Sequence, residues 1–506
     1  MTTLATMVTV LAAVSTAPAS YHTTPLHPSA CTNPDDCTAE LQAALDNGGT
    51  IRLACTAGEP WITRPLNITR NNTWVGLDAG CELLAKKGSF LGEFDALLTV
   101  RSEGQLKPGF PGANAVRNVS IVGVGGQATL RMHRADYNDT TRYRHSEHRH
   151  GIAVLGQLAS TERSAFDVQS RDLAITLTGG DGIYIAGLNG GHIHRVQHTA
   201  NYRQGSSVID ARHVLYEDCS FTGTHGTPPS AGVDIEPNGA AQSFLNLTFR
   251  RCNSTGNGGA GFMMCLYHLT NDSAPLSVEF EDCHVQGVGL QSDGRNVPGG
   301  GFIVSASSQN ESRTWVGGNV KWKGGSITDT AEEGIHISHP APGAAITFRQ
   351  TSLARNAVNM TCSHGQLQCF PNCTNSTRPA GVGAAVPPTF GSRLGRGTPN
   401  PIFILANVFP SAGAITDVGS DGVTFDRVTV SDTLPRDFVY VSEHSRNIFG
   451  NDITVRNTRQ NGCGKGVVVP RGKPSHFSAY GGNVNLSIAH CLLTNPSPRL
   501  ALLSST

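Results

Sequence analysis

Apolar and polar positions alternate in short runs along most of the chain, with a period of two. One series has the form small–apolar–x–apolar, as in Gly182-Ile183-Tyr184-Ile185 and Gly232-Val233-Asp234-Ile235. It starts at Gly182, Ser206, Gly232, Gly261, Gly301 and Gly334, with an earlier member led by His150. A second series follows it, at His192, His213, Leu247, Val278, Val320, Ile346, Val423 and Ile453. A period of two predicts strands rather than helices. The first-series starts lie 24, 26, 29, 40 and 33 residues apart. A constant core at variable spacing predicts a repeat in which one turn accepts insertions. Stacked coils at about 4.8 Å satisfy this pattern, because equivalent positions then form ladders. The expected fold class is therefore all-β, a parallel β-helix or solenoid. Cys219, Cys252 and Cys283 each close a second-series strand and should stack. A ladder of small apolar thiols accounts for them better than a metal or redox site, and a disulfide within it requires suitable geometry.

The start of the chain differs. Residues 37–47 place Leu41, Ala44 and Leu45 at helical spacing, and Gly48-Gly49 ends the pattern. One short amphipathic helix is predicted, followed by short strands at 50–53, 61–62, 66–68, 73–75, 82–84 and 118–124. The organisation expected is residues 1–19 as signal peptide, 20–100 as N-terminal cap and first coils, 101–495 as β-helix, and 496–506 as tail. A Cys/Gly/Pro-rich insertion at about 362–400 interrupts the coils, which resume at 401–405.

The opening helix, its Gly-rich exit and the strands beyond resemble the N-terminal cap of pectin-lyase-like proteins. The GIYI and GVDI strands with their VxxEDC-type partners resemble that superfamily's right-handed parallel β-helix coils. The resemblance covers most of residues 35–490. It implies a right-handed solenoid with a short N-terminal capping helix. It does not imply one activity, since the superfamily holds lyases, hydrolases, epimerases and non-catalytic proteins. The polygalacturonase set of NTD, DD, GHG and RIK and the DPHE signature of alginate epimerases are not found in order.

Composition narrows the setting. The chain of 506 residues carries 38 basic and 38 acidic residues and no basic tract, which gives nucleic acid no handle. Only 15% of residues are charged and 58 are Gly, which suits short strands and many turns. Residues 1–19 are uncharged, apolar from 7 to 14, and end in Ala17-Pro18-Ala19, a secretory pattern. No later run is long enough for a membrane span. Asn-x-Ser/Thr occurs at Asn67, Asn71, Asn118, Asn138, Asn246, Asn253, Asn271, Asn310, Asn359, Asn372, Asn375 and Asn485. That excess predicts a glycosylated, secreted protein. Of the 13 cysteines, Cys31, Cys37, Cys55 and Cys81 crowd the start and Cys362, Cys369 and Cys373 crowd the insertion. Both groups read as disulfide staples of unknown connectivity. Zinc at Cys369 and Cys373 is the alternative, without an accompanying His motif.

Candidate chemistry centres on Asp234 and Glu236. With Val233 and Ile235 pointing inward, the two acids point outward, side by side. Their column neighbours are Ala153, Tyr184, Ser207, Met263, Ile303 and His336 for Asp234, and Ala186, Ile209, Cys265, Ser305 and Ser338 for Glu236. Such a pair suits acid and base in glycoside hydrolysis. It equally suits two calcium ligands that neutralise a uronate during β-elimination, or a solvated edge satisfying the turn at Pro237-Asn238-Gly239. Turns leading into these strands bring Tyr143, Arg149, His150, Tyr184, Tyr202, Arg203 and His225 toward one cleft, and Asp181 precedes the strand at Gly182. Arg clamps acidic groups, aromatic rings stack on sugars, and His or Tyr can move protons. The run containing His145, His148 and His150 reads as a metal site, a substrate or proton-transfer element, or a solvated loop. His336 falls three coils beyond Asp234, about 14 Å along the axis, as a distal subsite.

The expected function is that of a secreted, monomeric, glycan-acting protein. Hydrolysis needs Asp234 and Glu236, with Tyr202, Arg203 and His225 positioning sugar and no cofactor. Calcium-assisted lyase chemistry and non-catalytic glycan binding are the alternatives. In lyase chemistry Arg203, Tyr202, His225 or Arg149 would remove the proton.

Overall fold

The computed structural model describes residues 25–55, 58–103, 115–143, 146–156, 165–289, 299–305, 316–338, 344–356, 415–418, 423–431, 439–441, 448–456 and 486–494. The leader, the insertion with its cysteines, His145, the tail, and Asn310, Asn359, Asn372, Asn375 and Asn485 lie outside these residues.

Within them the chain winds as a parallel β-helix with a short N-terminal capping helix. The helix Thr38–Asn47 buries Leu41 and Leu45 against the first coils and ends at Gly48, whose φ of 68° favours glycine. Disulfides Cys31–Cys37 and Cys55–Cys81 staple this cap. Every strand pairing is parallel, and the first-series strands stack in the expected order.

The lumen is filled by inward positions of each coil. Tyr216, Phe249, Phe280 and Trp322 occupy one register position in successive coils, continued by Phe348 and Phe425. Neighbouring rings stack at 4.7, 5.1 and 5.3 Å from Tyr216 to Trp322. The thiol ladder is present as expected. Cys219, Cys252 and Cys283 are buried and free. Their Sγ atoms donate to the carbonyls of Ile193, Tyr216 and Phe249 in the preceding coils at 3.3, 3.6 and 3.4 Å.

The residue before each of these cysteines turns the corner. Asp218, Arg251 and Asp282 have φ of 55°, 51° and 51°, as do Asp172 and Arg195 at 57° and 52° in the coils before. Arg195 grips Asp172 with two hydrogen bonds, and Arg251 grips Asp218 in the same way. The strained corner is thus tied from coil to coil.

One register expectation needs correction. Ala186 pairs with Asp210 rather than Ile209, because the pairing shifts on both sides of Ala186. Gly187, at φ 90°, lets the backbone recover the register. Asp210 then accepts hydrogen bonds from the N–H and hydroxyl of Ser243 in the next coil.

Candidate active site

Asp234 and Glu236 point out of the lumen, as alternation requires. Val233 and Ile235 belong to the main core. Met263, Cys265 and Ile303, from the columns of the two acids, form a separate cluster on the outer face with Tyr267 packed against it. The face is nevertheless covered: Asp234 is 0% and Glu236 6% exposed. A solvated acidic edge is therefore excluded.

Around the pair the protein builds a buried charged centre. Arg203 donates from Nη2 to Glu236 Oε2 at 3.2 Å, and its Nε lies 3.9 Å from Glu147 Oε2. Tyr267 donates its hydroxyl to Glu236 Oε1 at 3.3 Å. Gln204 donates from Nε2 to Asp234 Oδ2 at 2.8 Å, and its backbone N–H donates to Asp181 Oδ1 at 3.1 Å. The Asp181 N–H donates to His150 Nδ1 at 3.0 Å, so the imidazole proton sits on Nε2. The His150 ring stacks on Tyr184 at 4.6 Å.

Three carboxyl groups and one guanidinium make opposite demands here. Burial, then the neighbouring Glu236, pushes Asp234 well above the usual carboxyl range, and Arg203 only partly opposes this. Burial likewise raises Asp181 to about 7, against the pull of Arg203. Burial alone would weaken the Arg203 charge, but Asp181, Glu236 and Asp234 outweigh it and raise its pKa. Burial holds His150 well below the ordinary histidine range, helped by His148 and Arg203. The centre therefore favours the neutral forms of Asp234 and His150 and the cationic form of Arg203.

Its polar atoms are incompletely used. His150 Nε2, Asp181 Oδ2, Arg203 Nε, Gln204 Oε1, Ser207 Oγ and Asp234 Oδ1 are buried without a hydrogen-bond partner. Ser207 lies beside the Asp181 carboxyl but outside strict hydrogen-bond geometry. A buried network that served packing alone would satisfy such atoms.

The structure joins some expected residues to this centre and not others. Arg203, His150 and Tyr184 join it. Arg149 instead donates to the carbonyls of Phe90 and Leu91 and sits by the rings of Tyr137 and Tyr143. Tyr143 is edge-on to Tyr137 in that packing cluster. Tyr202 neighbours Arg134, whose Nη1 donates to Ala200 O. His225 is half-buried, and its N–H donates to Asn201 O. His336 keeps its place three coils past Asp234, with Nδ1 3.7 Å from Glu333 Oε2.

Four participants were absent from the expected site: Asp181, Gln204, Tyr267 and Glu147. Two of them had a signal in the repeat. The residues just before the first-series glycines also stack. Backbone bonds run from Gly151 to Asp181, from Gly182 to Gln204, from Gly205 to Ala231 and from Gly232 to Ala260. This column reads His150, Asp181, Gln204, Ala231, Ala260, so polar groups gather on one side of Asp234 and small ones on the other. Tyr267 and Glu147 come from turns, where no such register exists.

For calcium, Asp234 and Glu236 are a poor donor pair, since one holds a proton and the other holds Arg203. Among the described residues, the group that brings three ligand atoms within 4.8 Å of one another is His194, Glu217 and Asp218, on another part of the coil. Arg251 already holds both of those carboxylates. Of the described sequons, Asn71, Asn118, Asn138, Asn246, Asn253 and Asn271 are exposed and Asn67 is half-buried.

No protein-family model matches the chain, and no curated protein matches it. Solved structures do. A pectate lyase aligns with TM-score 0.36 and 11% identity over 57% of this chain and 62% of its own, just under two thirds. A family 28 exopolygalacturonase from Yersinia enterocolitica aligns with TM-score 0.49 and 12% identity over 89% and 75%. A surface adhesin of Streptococcus pneumoniae aligns with TM-score 0.46 and 9% identity over 93% of each. Likenesses of this depth carry neither a family nor an activity with them.

Proposed function

We propose that this chain is a glycan-cleaving hydrolase, with Asp234 as general acid and Glu236 as general base. The observation that carries this reading is the fully buried Asp234, its carboxyl pushed up by burial and by Glu236, set among polar atoms that lack partners. A carboxyl kept protonated at neutral pH is what protonating a glycosidic oxygen requires. Asp234 gives its proton to that oxygen as the bond to the sugar breaks. Glu236, held by Arg203 and Tyr267, takes a proton from the attacking water. Gln204 orients Asp234, and the neutral His150 offers its Nε2–H to a sugar hydroxyl. Because Asp234 has no exposed surface, a glycan reaches it only after side chains around it move aside. An extracellular setting agrees with the two disulfides, which persist in oxidising compartments. Among the described residues no helix is long and apolar enough to cross a membrane.

β-Elimination is the less favoured reading, because Arg203 is held cationic and so cannot remove a proton. Arg149 is engaged elsewhere, with the carbonyls of Phe90 and Leu91. The test is a product assay over neutral, uronate and sulfated polysaccharides. New reducing ends without the ultraviolet absorbance of an unsaturated product are expected, and a chelator should leave the rate unchanged. Asp234→Asn should lower the rate by about 100-fold or more, the usual contribution of a general acid. Full activity in that variant would remove the site from consideration.

A further inference from the structure

The turns that enter successive coils place one or two side chains each along a single rim. Phe94 precedes the strand Leu98–Arg101, and His148 and His150 precede Ile152–Leu155. Asp181 precedes Ile183–Thr199, and Arg203 and Gln204 precede Ser206–Glu217. These strands pair in that order, so the rim follows the coil axis.

Rings run without interruption along its first part. Phe94 stacks on His148 at 4.9 Å with 22° between planes. His148 meets His150 edge-on at 6.0 Å, and His150 stacks on Tyr184 at 4.6 Å. Burial is graded along this line. His150 and Tyr184 are buried, whereas His148 and Phe94 are half-open. Beside Phe94, in the same turn, Leu91 is 55% exposed. Phe90, four residues before Phe94, already fills the core at 0% exposure, so the turn does not need Phe94 as its anchor.

We propose that the outer face of Phe94, backed by His148, is a stacking platform for one sugar ring of the bound glycan, at the N-terminal end of the rim. This rests on the reading of the neighbouring centre as a glycan site. A pyranose has C–H groups on its faces and hydroxyls around its edge. An aromatic platform takes the face, and the unpartnered His150 Nε2 further along takes a hydroxyl. The glycan then lies parallel to the coil axis. The Phe94 turn is four coils before the Asp234 strand, about 19 Å along the axis. A span of that length selects an oligomer or polymer, and a short oligosaccharide seated at Asp234 does not reach the platform.

The experiment uses the full chain carrying Asp234→Asn, so that bound glycans stay intact. It is applied to a printed array of neutral, uronic and sulfated glycans of graded length. Binding of long chains is expected, weakened about three- to tenfold by Phe94→Ala, as loss of one ring contact implies, and restored by Phe94→Trp. Binding of the shortest glycans should not respond to either change. Equal array signals with and without Phe94→Ala overturn the platform, as does binding of no glycan at all. Thermal unfolding of both variants is followed alongside. If Phe94→Ala fails to fold, Phe94→Trp decides alone: retained or tighter long-chain binding supports the platform, and loss of it overturns the platform. The outcome separates from that of the hydrolase reading. Phe94-dependent binding with no cleavage by the unmodified chain sinks hydrolysis and leaves the platform. Asp234-dependent cleavage with Phe94-independent binding does the reverse.

Discussion

At Asp234 and Asp181 the protein stabilises the neutral form of groups that water would ionise. For Asp181 the proton is held up to about 7 in the folded chain, against 3.8 for the free group. The folded state therefore binds more protons than the unfolded one between these values. Stability from this group is complete below about pH 4 and is lost as pH rises toward 7. His198 works the other way in the same window. Burial in the lumen, on Phe221, lowers it to about 3, so its contribution is present above 6.5 and is lost as pH falls. Comparing Asp181→Asn with the parent isolates the first effect, since His198 is common to both. The parent's thermal midpoint should fall more steeply between pH 4 and 7 than the variant's. Parallel curves would mean that Asp181 is not protonated on folding. For catalysis the same reasoning applies to Asp234. Activity should extend above the ordinary carboxyl range and fall on the alkaline side as Asp234 loses its proton.

At the scale of elements, the ladders decide which strands hold the coils together. Phe249 stacks between Tyr216 and Phe280 and meets Phe262 edge-on at 5.8 Å. Phe249→Ala should lower stability by about 3–5 kcal/mol, because the three rings around it cannot collapse into the space. Denaturant unfolding followed by near-ultraviolet dichroism reads this, and a change below about 1 kcal/mol would contradict the packing. Breaking the exposed Arg251–Asp218 pair should cost far less, at most about 1 kcal/mol. The EDC-type motif owes its form to two adjacent demands. Its middle residue must turn a left-handed corner, and the cysteine after it must be small enough to enter the lumen.

For the whole molecule, the cap guards the first coil, whose strands otherwise present an open edge. The helix Thr38–Asn47 covers it, and the Cys55–Cys81 bridge, spanning 26 residues, ties the cap to the coil behind. Replacing both cysteines by serine should cost about 2–4 kcal/mol, more than loss of Cys31–Cys37, which closes only 6 residues. Hydrogen exchange should locate the loosening at residues 50–85. Uniform loosening along the solenoid would show that the cap is not an independent guard.

The repeat, the ladders and the outward aim of Asp234 and Glu236 were legible in the sequence alone, because each follows from strand alternation and a recurring register. Even the Asp181 and Gln204 column lay in the same register, one position before the glycines. What only the tertiary structure decided came from places without a period. Turns carry Arg149 and Tyr143 into a packing cluster, leave Tyr202 near Arg134, and bring Tyr267 to Glu236 and Glu147 to Arg203. Burial of the centre decides how far the Asp234 carboxyl is pushed up, a quantity that depends on three-dimensional surroundings and on no local pattern of residues.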